Sequence, residues 1–208
     1  MLSTLHTRAV APATLELLSE LMLLPELGNF ALAGGTALAL YKGHRVSIDL
    51  DLFTPHAFDA VILEQQLHDA LTPHRTLQRI NTARNTLTLA LDGIKSDMIR
   101  FDYPMLQPIQ AVQNIRLYAL PDIAAMKLSA LAGRGAKKDF YDLHCLLQEY
   151  SLRECLSFFE AKFGSDTFHL RKSLVFFDDA DTEPDPHLLE NISWSTVKTH
   201  IRAAAATL

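Results

Sequence analysis

The sequence predicts an α+β fold: a small mixed sheet flanked by helices, followed by a helical half. Two observations predict it. Short apolar or alternating stretches, Phe30–Ala33, Ser47–Phe53, Thr86–Leu91 and Ile94–Phe101, all fall in the first half of the 208 residues, and alternation with a period of two is the mark of a strand. From Asp122 onward the apolar residues fall mainly at helical spacings. We therefore divide the chain into residues 1–118, holding the sheet, and 119–208, a helical portion.

Taken in order, Ala11 to Leu27 is rich in Leu and ends at Gly28-Asn29, a helix stop. Phe30–Ala33 is a short strand, Gly34-Gly35 a turn, and a short helix starts at Thr36. In the strand Ser47–Phe53, Ser47, Asp49 and Asp51 share one face, and Ile48, Leu50 and Leu52 take the other, buried one. Thr54 is placed as the N-cap and Pro55 as the first residue of a helix running to Leu71. Asp92-Gly93 joins Thr86–Leu91 to Ile94–Phe101 as a two-residue hairpin turn of type I′. That turn sets Leu91 opposite Ile94, Leu89 opposite Ser96 and Leu87 opposite Met98, with Ala90 against Lys95 and Thr88 against Asp97.

Pro121 and Gly133 to Gly135 bound a helix from Asp122 whose one internal charge before Arg134 is Lys127. In the next helix, from Lys137, Asp139, Asp142, Leu143 and Leu146 fall on one side. Acids on a core-facing stripe need basic partners, which we expect. Ser151–Phe163 and Thr167–Phe177 read as further helices, Asp178–Pro186 as a solvated acidic loop, and a last helix begins near Ser193.

Composition narrows the function classes. With 49% hydrophobic and 21% charged residues the chain is a globular protein, not a disordered one. It contains no apolar run long enough for a membrane span and no secretory leader, so we expect a cytoplasmic protein with no membrane partner. The two cysteines, Cys145 and Cys155, fit neither a zinc nor a redox spacing. The net charge of −5 is matched by five acids between Asp178 and Asp185 with no base among them, which leaves the remainder neutral. Net charge therefore decides little about nucleic acid. The nine histidines show no metal-ligand spacing.

The chemistry is concentrated between Gly34 and Phe53. Two carboxylates side by side, Asp49 and Asp51, repel unless a cation lies between them, and a hard divalent ion with oxygen ligands fits. Asp97 joins them if the sheet brings its strand alongside. The Gly34-Gly35 pair lets backbone approach a ligand closely, and the following helix start is an anion site. An anion cradle beside a metal-holding acid pair suggests a nucleoside triphosphate with Mg²⁺.

Gly34-Gly35-Thr36-Ala37-Leu38, then Ser47-x-Asp49-x-Asp51-Leu52, then Lys127, then Lys138-Asp139-x-x-Asp142-Leu143 resembles the AbiEii/AbiGii toxin family of nucleotidyltransferases, within the polymerase-beta-like superfamily. The matched stretch runs from about Phe30 to Leu147. The resemblance implies a minimal nucleotidyltransferase fold in which residues 1–118 form the transferase core and 119–208 complete the nucleotide site. It implies that Gly34, Gly35 and Thr36 hold the triphosphate, that Asp49 and Asp51 hold Mg²⁺, and that Lys127 and Asp139 serve nucleotide binding and catalysis; Ser47, on the acid face, reads either as a further phosphate contact or as a plain strand-start hydroxyl. It also implies a nucleoside triphosphate as substrate, a transfer RNA as an acceptor and a cognate antitoxin as a partner.

Plainer readings stand beside these: a solvated edge strand for Asp49 and Asp51, a simple turn for the glycines, a surface hairpin acid for Asp97, a snorkelling Lys127, and helix-fixing ion pairs for Asp139 and Asp142. At the level of function, the alternatives are a small-molecule or protein acceptor and a non-catalytic nucleotide-binding module.

Overall fold

The computed structural model describes residues 4–165 and 167–208. One seven-stranded mixed sheet organises it, made of β1 (Ala31–Leu32), β2 (Leu50–Thr54), β3 (Leu77–Ala83), β4 (Thr86–Leu91), β5 (Ile94–Arg100), β6 (Gln110–Val112) and β7 (Ile115–Leu117), in the order β3-β4-β5-β2-β1-β7-β6. The β2–β5 and β1–β7 pairs are parallel and the others antiparallel. Helices α1 (Pro12–Leu21), α2 (Gly34–Lys42) and α3 (Ala60–Leu71) are interleaved with the first strands. After the sheet come α4 (Leu120–Gly133), α5 (Lys137–Leu146), α6 (Leu152–Phe163), α7 (Phe168–Ser173), α8 (Asp178–Asp181) and α9 (Trp194–Ala205).

The hairpin forms in the expected register: Leu91 pairs with Ile94, Thr88 with Asp97 and Leu87 with Met98. Its turn residues, Asp92 and Gly93, have φ of 49° and 81°, the two left-handed positions of a type I′ turn. Leu87, Leu89, Leu91 and Met98 are buried, as are Leu50 and Leu52 on the strand alongside. The acids therefore emerge on the opposite face. Helix α4 is the hub of the helical side, packing on α2, α5, α6 and α7.

Several expectations need correction. Thr54 does not cap a helix: β2 continues through it, and its carbonyl accepts the Phe101 N–H at 2.7 Å. Helix α3 instead starts at Ala60, with the Asp59 side chain accepting from the amides of Val61 and Ile62. Ile48 is 65% exposed, because the strand ladder begins only at Leu50 and the alternation that would have turned Ile48 inward does not reach it. Strands β3, β6 and β7 were not anticipated. All of β3 beyond Leu77 is exposed, so no apolar face marks it, and the other two have three residues each. The helix expected to reach Phe177 ends at Ser173. The acidic stretch is not simply solvated, since Glu183 accepts the Lys137 N–H at 2.8 Å and Asp181 bonds Trp194 and Lys198.

Among the described residues no helix is long and apolar enough to cross a membrane. Both cysteines are free.

A buried ion pair between α4 and α6 anchors the loop that carries Pro104, Leu106 and Gln107. Asp122, in the first turn of α4, accepts Lys162 Nζ at 2.7 Å and the amides of Leu106 and Gln107, while Lys162 also donates to the Pro104 carbonyl at 2.9 Å. Both side chains are fully buried. Lys162→Ala would leave Asp122 buried without its cation, so we expect urea denaturation to show a loss of about 3–5 kcal/mol. A loss below about 1 kcal/mol would mean that this pair does not anchor the loop.

Candidate active site

Because β2 and β5 run parallel and adjacent, Asp51 stands directly opposite Asp97, and the two share a face of the sheet. Asp49 precedes β2. Gly34, Gly35, Ser47, Asp49, Asp51, Asp97 and Lys127 all line one cavity of about 370 Å³. Two predicted residues do not line it, Thr36 and Asp139, and each instead holds one that does.

The glycines are explained by what comes against them. Gly34 has φ +64°, and a Cβ there would lie 2.1 Å from Asp51 Oδ2. A Cβ on Gly35 would lie 2.6 Å from Arg45 Nη2. The start of α2 thus admits a carboxylate at one glycine and a guanidinium at the next, which no larger residue would allow. Behind them the buried Thr36 hydroxyl bonds the Asp49 carbonyl and lies 2.8 Å from Ser47 Oγ, fixing the approach to β2.

Asp97 is engaged on both oxygens: Thr88 donates at 2.6 Å and Lys95 at 2.5 Å. Among the described residues no three acidic, His or Cys side chains are gathered closely enough to hold a metal ion unaided. The donor chemistry at the pair nevertheless fits a hard divalent cation, being all oxygen. Burial pushes the Asp51 carboxyl up from its ordinary value, and the nearby Asp97 and Asp49 add to this against the opposing pull of Lys127. A cation between the carboxylates would relieve that repulsion.

Opposite the acids, α4 and α5 supply positive charge. Lys127 Nζ lies 3.2 Å from Asp139 and 2.6 Å from Asp142, and Arg134 donates twice to Asp139, at 2.6 and 2.8 Å. Arg45 grips Asp142 through Nε at 2.6 Å and Nη2 at 2.8 Å, and His44 Nε2 meets the same carboxylate at 2.7 Å. The basic partners expected for Asp139 and Asp142 are present. Burial alone would raise the Asp142 carboxyl, but Lys127 and Arg45, with His44 bonding it, hold it well below the usual range. An ammonium has three donors, so Lys127 keeps one for the cavity.

Arg45 and the apolar wall of Phe53, Phe101, Phe163 and Met126 also line the cavity. The apolar wall was not anticipated from the sequence. Its signal was there: Phe53 is two residues past Asp51 and Phe101 four past Asp97, the same-face period of a strand.

Residues 16–205 match the family described as nucleotidyl transferase AbiEii toxin, type IV TA system. The chain belongs to that family. As an AbiEii protein it is a nucleotidyltransferase of the toxin–antitoxin kind. It is 37% identical over 175 residues to the uncharacterized protein aq_aa25 of Aquifex aeolicus (strain VF5), covering 81% of this chain and 83% of that one. In fold it is similar to JHP933 from Helicobacter pylori, with a TM-score of 0.60, 18% identity, and 95% of this chain and 92% of that one covered. It is also similar to MenT4, the nucleotidyltransferase toxin Rv2826c from Mycobacterium tuberculosis H37Rv, with a TM-score of 0.59, 15% identity, and coverages of 98% and 89%.

Two predictions follow from opposite signs of charge burial in this AbiEii site. A carboxyl whose folded value is raised weakens the fold where it is ionised, so Asp51→Asn should raise the neutral-pH melting temperature, by about 2–4 °C for each kcal/mol regained. A lower melting temperature would contradict this. Asp142 is the reverse case: its depressed carboxyl stabilises the fold fully above the ordinary value of 3.8, and that contribution is lost as pH falls through the folded value. Asp142→Asn should therefore cost about 3–5 kcal/mol at pH 7 and less in acid, read from denaturation midpoints across pH.

Proposed function

We propose that this cavity transfers a nucleoside monophosphate from a nucleoside triphosphate to an acceptor hydroxyl on RNA, with Mg²⁺, and releases pyrophosphate. The observation that supports the reading is one cavity with the carboxylates of Asp49, Asp51 and Asp97 on its sheet side, Lys127, Arg134 and Lys138 on its helical side, and the glycine-backed start of α2 at its edge. A triphosphate is the substrate class that needs both signs of charge at once.

In this reading the amides at the start of α2 hold the phosphate tail, with Ser47 beside them. Lys127 donates its remaining proton to a phosphate oxygen, while Asp139 keeps Lys127 and Arg134 in position from behind. Asp49 and Asp51 would hold the Mg²⁺ ion, which when bound supplies charge neutralisation on the triphosphate. Lys95, about half exposed, can leave Asp97 for a phosphate. Asp97 is then free to complete the metal set or to take the acceptor's proton. The acceptor oxygen forms its bond to the α-phosphorus as the bond from that phosphorus to the bridging oxygen breaks, and pyrophosphate departs.

The acceptor and the genetic partner are drawn from family membership: a transfer RNA and a cognate antitoxin. Purified protein incubated with each labelled triphosphate, Mg²⁺ and bulk RNA should label RNA. Label on protein or on a small molecule would move the acceptor assignment, and saturable binding without any transfer would leave a nucleotide-binding module. Asp49→Asn and Asp51→Asn should each cut transfer about 100-fold or more with the fold retained. Wild-type rates in either variant would remove the metal role from that residue.

A further inference from the structure

We propose that His144 and His200, whose Nδ1 atoms meet between α5 and α9, are positioning residues that make the site's hold on phosphate fail in acid: with both rings protonated the contact opens, and α5 no longer keeps Asp142 set against Lys127. This rests on the transferase reading above, in which Lys127 serves the triphosphate, and adds a control to it.

The rings stand edge to face with centroids 4.7 Å apart, and the two Nδ1 atoms are 2.9 Å apart. Two ring nitrogens at that distance share one hydrogen, so one donates and the other must be bare. A neutral pair meets that condition, and so does a singly protonated one. A doubly protonated pair does not, because two imidazolium N–H groups then face each other and their charges repel. His144 is 8% exposed and His200 half-buried, so His200 is the ring with a way out to water. Burial, with His200 and then His44 adding to it, pushes the His144 imidazole down from its ordinary value. A histidine in the unfolded chain takes its proton near 6.5, which folded His144 resists, so the fold loses stability as pH falls below that value.

The charges that face His144 have other duties. On its own helix the Asp142 carboxylate is taken by Lys127, Arg45 and His44, and Cys145 is neutral, its thiol pushed up to about 12 by burial. Tyr141 donates to Asp185. Lys42 of α2 and Glu149, just past α5, pair with each other, and on α9 Arg202 lies over the Phe177 ring. Glu190, ahead of α9, is exposed. With His44 and His144 it lines a cavity of about 10 Å³, no more than the room of a single water. Among the described residues His44 Nδ1 is buried without a hydrogen-bond partner. A charge on His144 therefore acts on His44, and through it on Asp142, with little water to screen it. Helix α9 packs on α5 through Trp194, at Phe140 and Tyr141, and through the histidine pair. His144 is two residues from Asp142 on one helix, so a displacement that frees His200 is felt at the carboxylate that holds Lys127.

Melting temperature and the binding of inorganic tripolyphosphate in magnesium buffer, each followed from about pH 8 to pH 5, test this, with transfer to RNA measured in parallel. His200→Asn keeps an amide near the place of Nδ1 and takes no proton, whereas His200→Lys is charged throughout that range. Wild-type affinity should fall about tenfold for each pH unit once the pair titrates, following the competent fraction. In His200→Asn the ratio of affinities at the two ends should shrink at least about tenfold, and the acid loss of melting temperature should shrink with it. His200→Lys should bind weakly even at the alkaline end, as wild type does in acid. Asp51 titrates in all three proteins, so a difference between profiles belongs to the pair. Superimposable profiles for wild type and His200→Asn overturn the proposal, as does His200→Lys binding like wild type at the alkaline end. A change in melting profile alone, with the wild-type binding ratio kept, makes the pair a structural contact and overturns its positioning role. Wild-type protein that binds tripolyphosphate with this pH pattern yet transfers no nucleotide overturns the transferase reading and not the pair. Wild-type protein that binds none overturns both.

Discussion

Two carboxylates buried on one side of α5 govern the geometry of everything around the cavity. Asp139 and Asp142 are both fully buried, and buried charge is tolerated only when it is paired and hydrogen-bonded. Their partners come from different parts of the chain: Lys127 and Arg134 from α4 and its end, His44 and Arg45 from the stretch between α2 and β2. Satisfying two acids therefore fixes the helical half against the glycine turn. The balance is not neutral. Three permanent cations face two carboxylates, and the surplus positive charge lies on the cavity side, with the Arg134 side chain 55% exposed. A site made this way offers a phosphate preset donors whose orientation is already determined by the fold.

The opposite wall is organised by a local cost. Asp51 is brought so close to the backbone of Gly34 that no side chain fits there, and its ionisation is disfavoured by burial and by its acidic neighbours. The cost falls on the ionised carboxylate, which an amide of the same shape would not carry. Local unfavourable choices of this type collect where a ligand later resolves them. Arg45 shows the complementary case. Its guanidinium is buried, doubly bonded to Asp142 and pressed against Gly35, so the second glycine is explained by a cation just as the first is explained by an anion.

These relationships were legible in the sequence to different degrees, for physical reasons. The hairpin register could be written down residue by residue, because the Asp-Gly turn and the alternation of Thr86–Leu91 leave a single pairing that buries the leucines. The need of Asp139 and Asp142 for bases followed from helix geometry alone, yet which bases answered did not, since His44 and Arg45 are nearly a hundred residues away in the chain. Thr54-Pro55 looked like a helix start and is a strand end because β5 is long enough to hold Thr54 in the ladder, a pairing between distant segments that overrides a local cap signal. The glycine pair was read as room for a phosphate. What the sequence did not show is that the chain's own Asp51 and Arg45 also come against these two glycines.

The C-terminal third makes sense as a buttress for α5. Lys137, at the first turn of that helix, gives its N–H to Glu183 at 2.8 Å, and Tyr141, one turn on, donates to Asp185 at 3.1 Å. Asp181 reaches across to Trp194 and to Lys198 at 2.8 Å on α9, whose indole packs against Phe140 and Tyr141. Phe140, Tyr141 and Asp139 are consecutive or adjacent on one helix, so the face of α5 that contacts this segment is rigidly coupled to the face that carries the acids. The run of acids that gives the chain its negative charge is thus part of the support for α5, and through Asp139 and Asp142 it bears on where Lys127 points. The position of the Lys127 ammonium, held by both of those carboxylates, is thus inherited from contacts made on the far side of the helix.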